Sequence, residues 1–544
     1  MKKNRIFKTC LFLTEVIFVI IVGTSCKDRT EVPPTDLTNS TFFKTDQQFV
    51  SALGAAYGNL RNVGNYSNIF PCSEISSDEA CLTQRGQDGY DGGQWITLQR
   101  HTWTPQHPLI RNLWNMLYGG INDCNRLIYQ FDNLQKQGQI DQKTTNKFIA
   151  ELKVLRALYY YYLLDNFGNV PLVTKFENAD KAPANETDFQ TGRDKVYNFV
   201  EKEVKDNIQK LPRNVDQTTY GRMTVWGAHF LLAKLYLNAK VYVGKAHWEE
   251  AMAQCDSIIN SGHFQLAKNF FDDFKTQNEG SPEFVFAVPF DQVFAHGFNI
   301  HMFTLHYASQ KTFNLKSQPW NGFATLEDFY NSFDSTDVRK KGFLVGIQLS
   351  STGDTLTDPN AKDPDGKVLD YTPHINELEP DAYREAGARF EKFEYATGAT
   401  ADLSNDFPLF RYADVLLMKA ECQWRIDGAP DNYANSNALI LVNMVRERAG
   451  LTDYNTLSAY KLLQERGHEL YTETWRRQDL IRFRGGLHYK IDSSGDRVSQ
   501  YPAGQTAFND AWWEKAVDKP FHNVFPIPQE QLNANQNLHQ NPGY

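Results

Sequence analysis

The sequence contains none of the short signatures on which several common catalytic chemistries rest. There is no Gly-x-Ser-x-Gly elbow, no His-Glu-x-x-His pair and no Gly-rich phosphate loop, so hydrolase-elbow, zinc-protease and P-loop chemistry have no foothold in it. Cysteine is sparse: seven in 544 residues, with no CxxC or Cys/His spacing, which removes the usual zinc ligand sets and a dense disulfide framework. Cys72 and Cys81 could still pair in an oxidising compartment, whereas Cys124, Cys255 and Cys422 lie in helical patterns that suit buried thiols. Positive charge is in deficit, 56 Lys and Arg against 65 Asp and Glu for a net charge of −9. Nucleic acid and anionic membrane surfaces are therefore poor partners. A glycosidase-like carboxylate pair needs two acids roughly 5 to 9 Å apart in space, and no motif marks one. The stretch Asp358-Pro-Asn-Ala-Lys-Asp-Pro-Asp-Gly366 superficially resembles a calcium loop, but its Gly is out of register and no Glu closes it, so it reads as a solvated acidic loop. No metal, cofactor or catalytic residue is expected.

Long apolar runs are confined to the N-terminus. Lys2, Lys3, Arg5 and Lys8 precede Val16-Ile-Phe-Val-Ile-Ile-Val22 and Gly23-Thr-Ser-Cys26, the basic, apolar and small-residue order of a secretory signal. The run is shorter than the roughly 20 helical residues of a membrane span, and Glu15 interrupts it upstream. Residues 1–25 therefore read as a cleaved signal. The position of Cys26 resembles the bacterial lipobox, in which the thiol takes a diacylglyceryl group and the freed amine a further acyl chain. At about 0.8 kcal/mol per buried CH₂, several chains hold firmly. Residues 26–39 are polar, include Pro33 and Pro34, and read as a tether.

What the chain has in quantity is aromatic side chains, 13% of all residues, enough to serve a core and leave some for flat, sugar-like or peptide-like ligands. It also has helical periodicity. Phe148, Leu152, Leu155, Tyr159 and Tyr162 share one face, with Gly168 as a left-handed cap and Pro171 as a stop. Residues 223–242 and 248–261, joined through Gly244, form a helix pair whose Ala228-to-Ala251 spacing is similar to that of tetratricopeptide repeats. Residues 412–426 and 435–449 form another. Further helical patterns cover about 45–61, 109–131, 190–211 and 458–483, whereas 64–108 and 265–405 are rich in Gly, Asn, Asp and isolated aromatics. The expected fold is mainly α. Tetratricopeptide-like helix pairs at about 40–63, 109–264 and 406–544 build a scaffold, and a loop-rich irregular lobe, about 64–108 and 265–405, is inserted into it.

Four segments together resemble the SusD/RagB family of glycan-binding outer-membrane lipoproteins. They are Ala150-Glu-Leu-Lys-Val-Leu-Arg-Ala-Leu-Tyr159 with Phe167-Gly-Asn-Val-Pro-Leu172; Gly221-Arg-Met-Thr-Val-Trp-Gly-Ala228 with Leu232-Ala-Lys-Leu-Tyr236; Phe407-Pro-Leu-Phe-Arg-Tyr-Ala-Asp-Val-Leu-Leu-Met-Lys-Ala-Glu421 with Asn443-Met-Val-Arg-Glu-Arg-Ala-Gly450; and Glu465-Arg-Gly-His-Glu-Leu470 with Arg476-Arg-Gln-Asp-Leu480, Phe525-Pro-Ile-Pro528 and Gln540-Asn-Pro-Gly-Tyr544. The resemblance implies a SusD-like fold that binds oligosaccharide or polysaccharide at the cell surface without catalysis. It implies a partner, a SusC-like TonB-dependent porin on which the protein sits as a lid, and a lipid anchor in the outer membrane facing outward. Lys27-Asp28 partly resembles the export signal to the outer leaflet, with Arg29 where a second acid stands. The charged motif residues Glu151, Arg156, Arg411, Glu421, Arg446, Glu465, Arg466 and Glu469 sit on otherwise apolar helices, where charge survives only when paired. They read as helix-to-helix salt bridges, and the closing Asn-Pro-Gly-Tyr as a docked tail.

The same resemblance directs attention to residues 74–108 and 291–325 for the ligand. Asp78, Arg85 and Trp95 lie in the first stretch; Phe298, Tyr307 and Trp320 lie in the second, with Trp320 in a Gln318-Pro-Trp-Asn-Gly322 turn that pushes the indole outward. An aromatic plane covers the C–H face of a sugar ring, while Asp, Arg and Asn meet its hydroxyls with charge-assisted hydrogen bonds. The competing reading makes these loop residues packing anchors, and Trp103, just before a helix, suits that role better. Two other functions stay open: a peptide- or protein-binding lipoprotein of the same uptake architecture, and, less favoured, a glycoside hydrolase.

Overall fold

The computed structural model describes residues 43, 45–65, 67–177, 182–361, 366–484, 490–491, 497–498 and 520–544. The signal, Cys26 and the tether lie outside them. Its longer helices are α1 (Asp46–Gly58), α2 (Pro108–Lys136), α3 (Gln142–Asn166), α4 (Phe189–Asn207), α5 (Val225–Leu237), α6 (Trp248–Ile259), α7 (Tyr412–Ile426), α8 (Ser436–Arg448), α9 (Ala459–Leu470) and α10 (Arg476–Arg484). None of the described helices is long and apolar enough to cross a membrane. The fold is mainly α, as the periodicity implies.

Helix starts follow local chemistry. Thr45 and Gln48 form a capping box at α1, and the Asp141 carboxylate accepts the Thr144 amide at the start of α3. Neighbouring helices then pack in sequence order: α2 on α3, α3 on α4, α5 on α6 and α7 on α8. The part of α3 from Phe148 to Leu164 is buried on nearly all sides, not on one face alone, because α1, α2 and α4 surround it. Its four consecutive tyrosines illustrate the cost of such burial. Tyr159 and Tyr160 donate to the carbonyls of Ala56 and Val173, and Tyr161 accepts from Gln478, so three of the four buried hydroxyls are bonded. Gly120 makes room for this packing, since a Cβ there would lie 2.3 Å from the Tyr159 ring.

The helical pattern over 458–483 resolves into two helices, not one. Between α9 and α10, Thr472 and Thr474 take left-handed φ values of 61° and 70°, a strained conformation for β-branched residues. Their amides are taken by buried carboxylates: Thr472 donates to Glu79 at 3.3 Å and Thr474 to Glu74 at 2.7 Å. Glu473, between them, accepts from Lys392 at 2.6 Å and from Arg411 at 2.7 Å. The break belongs to a buried ionic layer. Arg411 also reaches Glu469 and Glu283, Arg448 bonds the same two acids, and Arg339 bonds Asp337 and Glu465. The remaining motif charges are paired too: Glu151 with Arg222, Arg156 with Glu203, Arg446 with Glu465, Arg466 with Asp479 and Asp414, and Glu421 with Arg425 and Arg482.

Between residues 265 and 405 the described chain forms only short helices and short strands. Strand β2 (Phe284–Val288) pairs antiparallel with β4 (Phe407–Arg411), which runs directly into α7, and so ties this stretch to the helices. Strand β1 (Ala80–Leu82) pairs antiparallel with β3 (Phe323–Thr325), Cys81 opposite Ala324. One apolar core runs through both the helices and the loop-rich segments. Cys72 and Cys81 are free, buried thiols, with burial pushing both up to about 12. The C-terminal tail docks: Asn541 donates to the carbonyls of Phe167 and Phe525, and the Tyr544 hydroxyl bonds Val524 and accepts from Trp103.

Candidate functional site

The β1–β3 pair sets the site, because the chain just after β1 and just before β3 leaves the sheet at the same end. The turn before β3 is fixed by its backbone. Trp320, Asn321 and Gly322 donate to the carbonyls of Met302, Leu305 and Phe303 at 2.7, 2.9 and 2.6 Å. Asn321 takes φ 53°, which Asn tolerates, and a Cβ on Gly322 would lie 2.7 Å from the Phe303 carbonyl oxygen. The result is an indole packed edge-on against Phe303, ring centroids 4.4 Å apart, yet 42% exposed.

The Leu305 carbonyl that accepts the Asn321 amide stands two residues before Tyr307, which belongs to a polar network. The half-buried Tyr307 donates its hydroxyl to Asp88 at 2.5 Å; burial, then the Asp88 bond, raises this phenol to about 12, so it stays a donor. Arg384 donates to Asp88 at 2.8 Å, lies 5.7 Å over the Tyr307 ring, and pairs with Asp358 at 3.2 Å. His306 also faces Asp358, at 3.2 Å, and burial holds its imidazole down at about 4, neutral at ordinary pH. Asp358, the first residue of the acidic loop, is thus turned inward. Two residues beyond Asp88, Tyr90 is 52% exposed. These segments offer exposed aromatic rings at Trp320 and Tyr90, and a carboxylate and a guanidinium held in position at Asp88 and Arg384.

The other residues singled out from the sequence stand elsewhere. Trp95 is buried, its indole N–H bonded to Asp91 at 2.7 Å and its ring edge-on to Phe323; it has no face for a ligand. Phe298 is fully buried among Phe290, Phe393 and Phe407. Asp78 forms a two-pronged ion pair with Arg476. Arg85 is buried, and its guanidinium donates to main-chain carbonyls. These four build the site's support, because burial and prior partners occupy the atoms a ligand would need. Tyr307 and Trp320 reach the surface. Tyr90, Asp88 and Arg384 were not singled out from the sequence. The glycine-flanked Tyr90 carried a usable signal, since glycines on both sides leave little to bury it, whereas nothing near Arg384 marked it. Among the described residues, no group of three or more His, Cys, Asp and Glu is arranged to hold a metal ion.

Comparison with known proteins accords with this architecture. A family model described as "SusD family" matches residues 261–544, and one described as "Starch-binding associating with outer membrane" matches residues 47–237. The starch-binding protein SusD of Bacteroides thetaiotaomicron is 24% identical over 596 aligned positions, covering 98% of each chain. SusD-like protein P25 of Formosa agariphila is 23% identical, covering 95% of this chain and 96% of its own. Among solved structures, surface glycan-binding protein A from Bacteroides thetaiotaomicron, in complex with laminarihexaose, superimposes with a TM-score of 0.67 at 22% identity, over 92% of this chain and all of its own. With one family model covering more than half of its length and relatives aligned over nearly all of it, the chain belongs to the SusD family.

Proposed function

We propose that the protein is a surface lipoprotein that binds oligosaccharide or polysaccharide without cleaving it and passes it to a SusC-like TonB-dependent transporter in the outer membrane. The observation that carries this reading is the Trp320 indole, held on a rigid turn with one part packed on Phe303 and the rest open to solvent. A flat ring presented this way suits the C–H face of a sugar, and the nearby Asp88, Tyr307 and Arg384 supply fixed donors and acceptors for hydroxyls. Relatives named for starch and for glycan binding, one of them complexed with laminarihexaose, support the ligand class. We assign ligand contact to Trp320 and Tyr307, joined by Tyr90, Asp88 and Arg384. Residues 1–25 are the signal, Cys26 the lipid acceptor and 26–39 the tether. The helical segments 40–63, 109–264 and 406–544 form the scaffold, and 64–108 with 265–405 the ligand lobe.

The decisive experiment is titration calorimetry of the purified protein against laminarihexaose, soluble starch and a panel of other glycans and peptides, with reducing ends assayed after incubation. Saturable glycan binding with no new reducing ends is expected. Binding of peptides alone, or release of reducing ends, overturns the reading. Co-purification of a TonB-dependent transporter from the native outer membrane tests the partner, and its absence from the purified complex removes that part.

A further inference from the structure

Two arginines, Arg85 and Arg389, bond the Trp320 turn, and among the described residues no carboxylate is bonded to either. Arg85 donates from Nε to the Tyr383 carbonyl at 3.0 Å, from Nη1 to Asn321 at 2.8 Å and Gly322 at 3.3 Å, and from Nη2 to Ala386 at 3.0 Å. One side chain thereby joins its own loop to two segments more than 200 positions away. Arg389 donates from Nη2 to the Asn321 side-chain oxygen at 2.9 Å and the Arg384 carbonyl at 2.7 Å. It also lies 5.0 Å over the Tyr371 ring. The Tyr371 hydroxyl accepts the His306 amide at 2.8 Å, and the next residue is Tyr307.

Among the described residues neither guanidinium makes a salt bridge, whereas the buried arginines of the ionic layer all do. A buried charge without a counter-ion is costly, and burial, then the neighbouring Arg389, pulls Arg85 well below the usual arginine range. What the pair gives in return is geometry. A planar fork of donors can hold several carbonyls at fixed angles, and these loops have few ladder bonds to do so themselves. Asn321, in its left-handed conformation, is gripped by Arg85 at its carbonyl and by Arg389 at its side chain.

We propose that Arg85 and Arg389 are positioning residues for saccharide binding, which fix the direction of Trp320 and the seat of Tyr307 without touching the ligand. This rests on the reading of Trp320 as a saccharide platform. Its consequence is pre-organisation: if loss of a clamp leaves the turn competent in about a tenth of molecules, the apparent Kd rises about tenfold.

The test uses the full chain purified in detergent and labelled with 5-fluorotryptophan, the Trp320 resonance being assigned by Trp320→Phe. Laminarihexaose and soluble starch are the probes. In Arg85→Gln we expect a cooperative unfolding transition, a Trp320 fluorine signal broadened or shifted in the free protein and restored by saturating saccharide, and about tenfold weaker binding. A support role confined to stability would leave that signal and the affinity of the folded molecules unchanged, and this result overturns the proposal. If Arg85→Gln does not fold, Asn321→Gly decides on the same criteria, since it removes the Arg389 contact and keeps a residue that tolerates φ above zero. Absence of saccharide binding by the wild type, or its survival in Trp320→Ala, overturns the platform reading itself. Wild-type binding that needs Trp320 but neither clamp overturns only the positioning role.

Discussion

Arg476 closes on Asp78 with two hydrogen bonds, Nε to Oδ1 at 2.6 Å and Nη2 to Oδ2 at 2.8 Å, across 398 positions of sequence. The pair joins the start of α10 to the segment just before β1, and its arginine is 4% exposed. Asp78→Ala removes a carboxylate from a buried guanidinium, which costs about 3 to 5 kcal/mol. Urea denaturation should show that loss, while saccharide affinity per folded molecule stays at the wild-type value. An affinity loss with unchanged stability would return Asp78 to the ligand.

The two tryptophans should part in opposite ways. Trp320→Ala removes an exposed platform and, by analogy with base stacking, weakens glycan binding by about 1 to 3 kcal/mol. Its melting temperature moves little. Trp95→Ala empties a core site and leaves Asp91 without its indole donor, for about 3 to 5 kcal/mol of stability. Calorimetric titration and thermal melts of both variants check this, and equal effects on binding would contradict it.

Glu74 and Glu79 are buried side by side, each holding an amide of the strained Thr472–Thr474 segment. Burial raises both carboxyls, and the negative charge of Glu74 raises Glu79 further, well above the ordinary 4.5. The folded chain therefore keeps a proton that the unfolded chain releases. The linked contribution to stability is full below about 4.5, and is lost as pH rises toward the folded pKa. Between about pH 5 and about pH 8, the wild type should lose more urea resistance than Glu79→Gln, which cannot ionise there. Parallel curves for the two proteins would remove the pair as the source.

If Cys26 carries the proposed lipid, Cys26→Ser takes away the acyl acceptor. With its chains gone, the membrane affinity that each buried CH₂ supplies at about 0.8 kcal/mol disappears. Cell fractionation should find the variant in the soluble fraction and the wild type in the outer-membrane pellet; an unchanged pellet would mean that another element holds the protein there.

The sequence by itself determined the helices. Their 3.6-residue pattern, caps and stops are local, so Phe148 to Leu164 and 412–449 are found where the periodicity puts them, and so is the pair around Ala228 and Ala251, except that the stretch expected as one helix over 223–242 breaks at Asn238 into Val225–Leu237 and Ala239–Val243. It also determined that the motif charges had to be paired, since an apolar helix cannot carry Glu421 or Arg466 alone. Tertiary structure alone decided where α9 ends, because Glu74 and Glu79, some 390 positions away, hold the amides released at the break. It likewise decided which aromatics face water. Trp95 and Trp320 both follow Gly- or Gln-bearing sequence, yet the first, at the start of a short helix (Gln94–Gln99), is sealed against Phe323 and the second, on a turn, is left open on Phe303. Burial is a property of what arrives from elsewhere in the chain. For the same reason Arg85, which looks from the sequence like a ligand-binding cation, proves to be spent on the carbonyls of Tyr383, Asn321 and Ala386, partners that no local pattern specifies.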